Sequence, residues 1–277
     1  MSAPGHAVLP HLEVIDLANV ALHEDFDERR IVALAERVQR DGVVRNPPIV
    51  APLGDGRFVV LDGANRVSAL KYLEYRDALV QIVDYHAVEL HRWHHLITGF
   101  TGDDLFAELA ACLDAAPRPS TFAAARHALA SEGALAFVGL PDGRTFVLEG
   151  QGDLRDRAAR QCALVDVYNG RADIHRVQVD DLSVIAGAYD LPDGLVVFPA
   201  YAADDVLALV RAGGKLPSGI SRHVIPGRAL RVNYALALLA DAGPREDKNA
   251  QLAQWVRRKL QAREIRYYEE PTVLYDE

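Results

Sequence analysis

The run Asp62-Gly63-Ala64-Asn65-Arg66 has the residue types and spacing of a phosphate-binding turn. Apolar residues before it predict a strand and those after it predict a helix, so free backbone N–H groups would point at an anion. Gly63 permits close approach of the backbone, Arg66 offers a fork of donors, and Asp62 could bind Mg²⁺ or orient a hydroxyl. Asp-Gly is also a common turn, so the spacing leaves a purely structural role open.

The carboxylate of Glu24 is a second candidate for chemistry. Glu24 follows the first predicted strand and precedes the first predicted helix, a position from which it could face the same cleft as Asp62. A carboxylate placed there could accept a proton from a substrate hydroxyl. The alternative is that Glu24 and Asp25 only stabilise the positive end of the helix that follows.

An N-terminal α+β unit is predicted to position these residues. Alternating and helical apolar patterns predict strands at 12–17, 49–51, 57–61 and 79–83, and helices at 25–40 and after Gly63. Asp55-Gly56 lies between two of the strands, which is typical of a hairpin turn. Residues 87–97 have a helix-like pattern, and the glycines and aspartates that follow predict a domain boundary near residue 99.

The rest of the chain predicts a second domain of mixed helices and strands. Its expected elements are a helix at 104–115, a hairpin around 140–144, a strand at 196–198, a helix at 203–212 and a terminal helix at 247–262. The predicted fold class is therefore α+β, with one domain over residues 1–98 and an α/β domain over residues 99–277.

Composition excludes several classes of protein. The 277 residues are half apolar and carry 30 Lys plus Arg against 39 Asp plus Glu, a formal charge of -9, which disfavours a duplex DNA partner. Cys112 and Cys162 are too few for a disulfide framework or a thiolate metal site. No signal peptide or membrane-spanning run is evident, so we expect a cytoplasmic protein.

Two further patterns do not match the spacing of a known functional motif. His91 and His95 could share one face of a helix over 87–97 and hold zinc, but the spacing is not His-Glu-x-x-His, and we interpret them as ordinary helix residues. Gly213-Gly214-Lys215 lacks the spacing of a P-loop, and no protein-kinase motif occurs.

A longer run around the turn resembles a known superfamily. Phe58-Val59-Val60-Leu61-Asp62-Gly63-Ala64-Asn65-Arg66-Val67-Ser68-Ala69-Leu70 is similar to the DGxHR-type motif of the ParB/sulfiredoxin-like superfamily, and the likeness extends over residues 12–85. Within that superfamily the chain resembles the free L-serine kinases, especially the SbnI type associated with siderophore precursor synthesis. The supporting stretches are Leu22-His23-Glu24, Arg92-Trp93-His94-His95, Leu216-Pro217-Ser218-Gly219-Ile220-Ser221-Arg222 and Pro226-Gly227-Arg228-Ala229-Leu230.

The resemblance implies a phosphotransferase. It implies an N-terminal ParB/sulfiredoxin-like domain that binds the nucleotide and a C-terminal domain that closes over L-serine, with the substrates in the cleft between them. The donor would be ATP or ADP with Mg²⁺, the product O-phospho-L-serine, and the partners small molecules, with nucleic acid disfavoured. The sequence does not indicate an oligomeric state.

Roles for individual residues follow from the same resemblance. The family's catalytic glutamate maps to Glu24, and Asp62 would place Mg²⁺ or the serine hydroxyl, while the backbone and side chains of Gly63, Ala64, Asn65 and Arg66 would hold the transferred phosphate. Four residues would enclose the amino acid: Trp93, His95, Ser221 and Arg222. Helix capping by the Pro217 to Arg222 segment and domain packing by Trp93 are the structural alternatives.

The chain departs from the family pattern at two positions. Asn65 stands where the motif commonly has His, so no acid function is expected there. Gly219 stands where archaeal-type serine kinases tend to have Lys, and Lys215 and Arg228 are the candidates for supplying that positive charge. The alternative function is a ParB-like nucleotide-dependent DNA-binding or regulatory protein without kinase turnover, while the absence of a Cys in the turn sets a sulfiredoxin-like reductase aside.

Overall fold

The protein combines two large β-sheets with helices. The computed structural model describes residues 9–24, 28–113, 116–131, 133–185 and 192–268. The strands are β1 His11–Asp16, β2 Val20–Leu22, β3 Val43–Val44, β4 Ile49–Pro52, β5 Phe58–Asp62, β6 Asp77–Ile82, β7 Glu89–Arg92, β8 His94–Thr98, β9 Arg118–Ser120, β10 Ala136–Gly139, β11 Thr145–Leu148, β12 Asp173–Val177, β13 Gly194–Val197, β14 Ser221–Val224 and β15 Tyr234–Ala235. The helices are α1 Glu28–Asp41, α2 Ala64–Tyr72, α3 Gly102–Ala111, α4 Phe122–Ser131, α5 Leu154–Asp166, α6 Leu182–Ile185, α7 Ala203–Arg211, α8 Ala237–Ala240 and α9 Arg245–Gln261. The predicted α+β class is confirmed.

The first sheet has the strand order β1-β6-β4-β5-β2. β4 and β5 form the hairpin predicted around Asp55-Gly56, whereas β2 and β5 are parallel. Parallel neighbours end at the same edge of a sheet. The residues that follow β2 and β5, which include Glu24 and Gly63, therefore lie at one edge.

The helices α1 and α2 follow β2 and β5 and pack against each other. Ile31 and Ala35 of α1 contact Ala69 of α2 in a small buried cluster. α2 also buries Val67 and Leu70 in the core on the first sheet. This apolar face fixes the direction of α2, and so it fixes where the N–H groups of its first turn point.

The second sheet has the strand order β12-β8-β13-β10-β11-β9, and all its pairs are antiparallel. One core cluster joins it to the first sheet: Ala51 and Val59 of the hairpin lie in the same cluster as Val138 and Val196. The two sheets thus share buried apolar surface, which removes water between them.

The prediction of a helix over residues 87–97 is wrong. This segment forms β7, which pairs with β14, and β8, which lies between β12 and β13. Residues 94–97 are buried throughout, because the two faces of β8 pack in different core clusters, one containing Ile97 and the other Leu96. Backbone pairing with strands distant in sequence decided the conformation here, a long-range effect that local spacing does not encode.

The C-terminal elements return to the first sheet. Asn249 of α9 accepts a hydrogen bond from Val14 N (2.8 Å) and donates one to Val14 O (3.0 Å). β15 pairs with β3. The boundary between the two sheets therefore does not coincide with the boundary between residues 1–98 and 99–277. The division into those two domains stays a prediction. Among the described residues, no helix is both long and apolar enough to cross a membrane.

Candidate active site

The site lies where the ends of β2 and β5 meet the loop between α7 and β14. Glu24, two residues beyond β2, forms an isolated parallel β-bridge with Leu216. The N–H of Leu216 donates to the carbonyl of His23 at 2.7 Å. These backbone contacts hold the loop beside the edge of the first sheet, so a carboxylate and a backbone loop from distant parts of the sequence face each other.

The Glu24 carboxylate accepts hydrogen bonds from this loop on both of its oxygens. Gly219 N donates to Oε2 at 3.0 Å, Ser221 N donates to Oε1 at 3.0 Å, and Ser221 Oγ donates to Oε1 at 2.5 Å. Burial alone would raise the pKa of Glu24, but hydrogen bonds and the charge of the neighbouring His23 outweigh it and lower the pKa to about 2. Glu24 is therefore ionised at neutral pH.

His23 completes this hydrogen-bond network. Its Nδ1 lies 2.5 Å from the carbonyl oxygen of Val60, which can only accept, and its Nε2 lies 2.9 Å from Ser221 Oγ. Both ring nitrogens of His23 therefore lie within hydrogen-bond distance of oxygen atoms, and the ring links the end of β5 to Ser221 beside Glu24.

A second buried imidazole lies beside His23. The rings of His23 and His223 are 4.9 Å apart, and His223 Nε2 is 2.8 Å from the hydroxyl of Tyr85. Burial, together with the charge of His23, lowers the pKa of His223 to about 3, so His223 is neutral. The neutral His223 ring contributes packing against His23 and a hydrogen bond with Tyr85.

The predicted phosphate turn has the expected geometry. β5 ends at Asp62, Gly63 adopts φ 89°, and α2 begins with no side-chain cap on its first N–H groups. The guanidinium of Arg66 folds back over this turn and donates to Asp62 Oδ2 at 2.7 Å. Nε of Arg66 is buried without a hydrogen-bond partner. An anion at the helix start would supply the missing acceptor.

Arg228 is a second cation at this turn. Its Nη1 donates to Asp62 Oδ2 at 3.0 Å, and its Nη2 donates to the carbonyl of His223 at 3.3 Å. From the sequence, Arg228 was only a candidate for an additional positive charge. The loop after β14 brings Arg228 beside Asp62. Oδ1 of Asp62 has no hydrogen-bond partner among the described residues, and a single free carboxylate oxygen fits a Mg²⁺ ion that takes its other ligands from phosphate and water.

Trp93 and Arg222 form one wall near the loop. The N–H of Trp93 donates to the carbonyl of Ile220 at 2.8 Å, and the guanidinium carbon of Arg222 lies 4.8 Å from the centre of the Trp93 ring. Pairing of β7 with β14 brings the two together. The indole holds the guanidinium by a cation–π contact and leaves its N–H groups available to an anion.

His95 is buried and contacts the loop through the backbone of Gly219. It is 1% exposed, its Nδ1 lies 2.9 Å from the hydroxyl of Tyr168, and its Nε2 donates to the carbonyl of Gly219 at 3.2 Å. Burial lowers the pKa of His95 to about 4, so the ring is neutral. Both ring nitrogens are thus occupied, and His95 positions the backbone whose N–H reaches Glu24.

Residues predicted to bind the phosphate and residues predicted to bind the amino acid therefore meet around one network. Glu24 and Ser221 belong to it directly and His95 through Gly219, and Asp62 and Arg66 lie at the neighbouring strand end. Sequence reasoning missed the roles of His23, Tyr85 and His223. Only His23 had a signal, its place next to Glu24 in a stretch that carries the family likeness.

The structure offers no support for a zinc site. The described residues contain no group of three or more His, Cys, Asp or Glu side chains that could hold a metal. His91 and His95 lie on two different strands, so the helix face that they were expected to share does not form.

No protein-family model matches the sequence. Its fold is that of solved free serine kinases: a free serine kinase in complex with AMP superimposes with a TM-score of 0.70 at 18% identity, covering 85% of this chain and 98% of that one. Truncated SbnI from Staphylococcus aureus gives a TM-score of 0.69 at 22% identity, covering 91% and 97%.

One particular relative matches over most of its length. The ATP-dependent L-serine kinase SbnI of Staphylococcus aureus (strain NCTC 8325 / PS 47) is 24% identical over 247 residues, 88% of this chain and 89% of that protein. The chain is homologous to SbnI, and the resemblance predicted from its motifs is confirmed.

Proposed function

We propose that this protein is a free L-serine kinase that transfers the terminal phosphate of ATP to the serine hydroxyl. One P–O bond forms to the serine oxygen, the bond to ADP breaks, and the hydroxyl proton leaves, giving O-phospho-L-serine, ADP and H⁺. The observation that carries the proposal is the ionised Glu24 beside the Asp62–Arg66 turn. Similarity to the L-serine kinase SbnI over 88% of the chain supports the same reaction.

In this proposal Glu24 accepts the hydroxyl proton. Its Oε1 already accepts two hydrogen bonds, whereas Oε2 accepts only the one from Gly219 N, so Oε2 has a lone pair for the substrate. A carboxylate with a pKa near 2 is a weak base. Loss of the Gly219 or Ser221 contact when serine binds would raise that pKa and strengthen the base.

The turn at the start of α2 would hold the phosphates. Backbone N–H groups of Gly63, Ala64 and Asn65 and the guanidinium of Arg66 would contact phosphate oxygens, and Asn65 would donate through its side-chain amide. Mg²⁺ bound by Asp62 would neutralise charge on the transferred group. The buried, unpartnered Nε of Arg66 supports an anion at this place.

The loop residues would bind the amino acid. Arg222, stacked on Trp93, would pair with the serine carboxylate, while Ser221 and His95 keep the loop in register with Glu24. In this proposal serine would lie in a cleft between a ParB/sulfiredoxin-like domain, residues 1–98, and a substrate-closing domain, residues 99–277. Closure of that cleft would exclude water and limit wasteful hydrolysis of ATP. Use of the product in siderophore precursor synthesis is part of the proposal and depends on the SbnI-type resemblance.

The test is phosphorylation of free serine. Purified protein is incubated with Mg²⁺, L-serine and either ATP or ADP, and O-phosphoserine is followed by ³¹P NMR. We expect phosphoserine with wild-type protein and a kcat about 10²- to 10⁴-fold lower for Glu24→Gln, since the base is lost. Glu36→Gln, on the exposed face of α1, is the matched control and should retain full activity.

Other outcomes would point elsewhere. Nucleotide binding without phosphoserine would favour a regulatory protein, and salt-dependent DNA binding in place of turnover would favour a ParB-like function. Equal activity of Glu24→Gln and Glu36→Gln would remove Glu24 from the mechanism while leaving the kinase assignment in place.

A further inference from the structure

A pocket separate from the candidate active site lies beside β2, an edge strand of the first sheet. It has a volume of about 790 Å³ and is lined by β2, the first turn of α1, the last turns of α2 and the segment after α7. Arg57, just before β5, and Lys71, in the last turn of α2, line this pocket, whereas Asp62 ends β5 and Ala64 begins α2. The pocket and the phosphate turn therefore lie towards opposite ends of the same strand–helix unit.

The lining combines an apolar wall with positive charge. Leu22, Ile31 and Val32 supply apolar surface, and the large side chains of Val32 and Tyr72 are 43% and 59% exposed at its rim. Arg57, Lys71 and Lys215 are its charged residues, and no carboxylate belongs to the described lining. A volume in the range of small-molecule sites with this lining suits an apolar ligand that carries one negative group.

Lys71 is the cation best placed for that group. It donates to the carbonyl of Val20 at 2.8 Å, which uses one of its three donors, and it has no carboxylate partner among the described residues. Arg57 is already bound to Asp55 through two nitrogens. Burial lowers the pKa of Lys71, and an anion beside the ammonium would offset that effect.

The walls of this pocket continue into the candidate active site. β2 runs from Val20 directly to His23 and Glu24, and the segment Gly213–Lys215 runs directly to Leu216, whose N–H donates to the His23 carbonyl. A ligand that packs against both walls would change how the loop meets Glu24. The pocket is therefore mechanically connected to the contacts that set the basicity of Glu24.

We propose that this pocket binds a small organic carboxylate with an apolar body, through Lys71, and that its occupancy modulates the reaction at Glu24. The binding half stands independently of the proposed kinase activity, and the modulation half rests on it.

Binding is tested by calorimetry on the full chain, without nucleotide or serine, using naphthalene-2-carboxylate as the probe and naphthalene-2-carboxamide as its neutral counterpart. We expect saturable binding of the carboxylate, at least tenfold weaker binding of the amide, and at least tenfold weaker carboxylate binding by Lys71→Met. Val32→Glu, at an exposed residue of the rim, introduces a negative charge that repels the carboxylate and leaves Lys71 in place. This variant should weaken binding to a similar extent. Lys259→Met, on α9 and outside the lining of the pocket, should change the Kd less than twofold.

Thermal unfolding of each variant checks that it is folded. Absence of saturable carboxylate binding, equal binding of carboxylate and amide, or unchanged binding by both folded pocket variants overturns the site. If serine is phosphorylated, saturating carboxylate should change the serine KM at least twofold in wild type and not in Lys71→Met. Binding without that change overturns the modulation, and absence of turnover tests the kinase proposal alone.

Discussion

Gly63 shows how one residue controls the turn between β5 and α2. Its φ of 89° lies in the left-handed region, and a Cβ there would lie 2.7 Å from Nε and Nη2 of Arg66. The glycine therefore does two things: it permits the bend from β5 into α2, and it leaves space for the guanidinium over the helix start. The hairpin provides a comparison, since Gly56 has φ 82° and nothing within 4 Å of a Cβ at its position.

We expect Gly63→Ala and Gly56→Ala to lose similar stability, each about 1–2 kcal/mol, because both place a side chain in the left-handed region. Only Gly63→Ala should displace Arg66 and weaken ATP binding, by tenfold or more. Denaturant unfolding and calorimetric titration of nucleotide measure the two effects. Equal loss of nucleotide affinity in both variants would contradict the role assigned to Arg66.

The ionised Glu24 predicts a specific pH dependence of stability. The pKa of Glu24 is about 2 in the folded protein, against 4.5 for an unconstrained glutamate. The carboxylate is thus stabilising at pH values above about 4.5, and this contribution declines as the pH falls from there towards 2.

We expect the difference in unfolding free energy between wild type and Glu24→Gln to shrink by about 3 kcal/mol between pH 6 and pH 2. Denaturant unfolding at a series of pH values measures it, and subtracting the variant removes the contribution of other carboxylates. The exposed Glu36→Gln should give a flat difference. A difference for Glu24→Gln that is independent of pH, or grows on acidification, would be inconsistent with a depressed pKa.

At the scale of elements, a buried ionic cluster attaches α9 to the first sheet. Asp77 of β6 is fully buried and accepts hydrogen bonds from Lys248 (2.7 Å), Arg245 (3.0 Å) and Arg76 (2.8 Å). Burial would raise the pKa of Asp77, but its three cationic partners lower it to about 2. Lys248 is also buried and donates to the Leu239 carbonyl at 2.7 Å, which ties α8 into the same cluster.

Lys248→Met should destabilise the protein by about 3–5 kcal/mol, because it leaves the Asp77 charge buried with weaker compensation. Lys259→Met on the same helix is the control; Lys259 is half-buried and pairs with Glu264 at the surface, so we expect a loss of at most about 1 kcal/mol. Urea unfolding compares the two. A Lys248→Met loss no larger than that of the control would show that Arg245 and Arg76 alone satisfy Asp77.

At the scale of the whole molecule, the two sheets pack together through one shared apolar cluster, and hydrogen bonds also join them. Arg211, at the end of α7, donates to the carbonyl of Leu53 in the β4–β5 hairpin through Nε (2.8 Å) and Nη2 (2.6 Å). Glu24 and Gly219 add a polar contact at the candidate active site. Apolar residues from both sheets occupy a single buried cluster. These contacts favour cooperative unfolding.

We expect one unfolding transition for the whole chain, reported equally by its two tryptophans. Trp93 lies by the loop between α7 and β14, and Trp255 packs with Tyr234 beside the first sheet. The single-tryptophan variants Trp93→Phe and Trp255→Phe should each show a fluorescence transition that coincides with the loss of circular dichroism in the same variant. Separated midpoints would indicate that the two sheets unfold independently.

The sequence by itself determined the α+β class, the β4–β5 hairpin and the strand–turn–helix around Asp62-Gly63, because turn residues and apolar periodicity act over a few residues. It also placed Glu24 next to a helix start, and the resemblance carried by its motifs indicated the serine kinases. Similarity in sequence and fold bears out that resemblance. The residue-level roles in the site stay predictions, with their geometry now described.

Only the tertiary structure decided how the site is assembled. Residues 87–97 became β7 and β8 because β12, β13 and β14 supply backbone partners that lie far away in sequence. The same long-range pairing put Gly219 and Ser221 on Glu24, Arg228 on Asp62, and Lys248 on Asp77. A hydrogen bond between residues 166 to 197 positions apart leaves no local periodicity in the sequence, so its partners become visible only when the chain is folded.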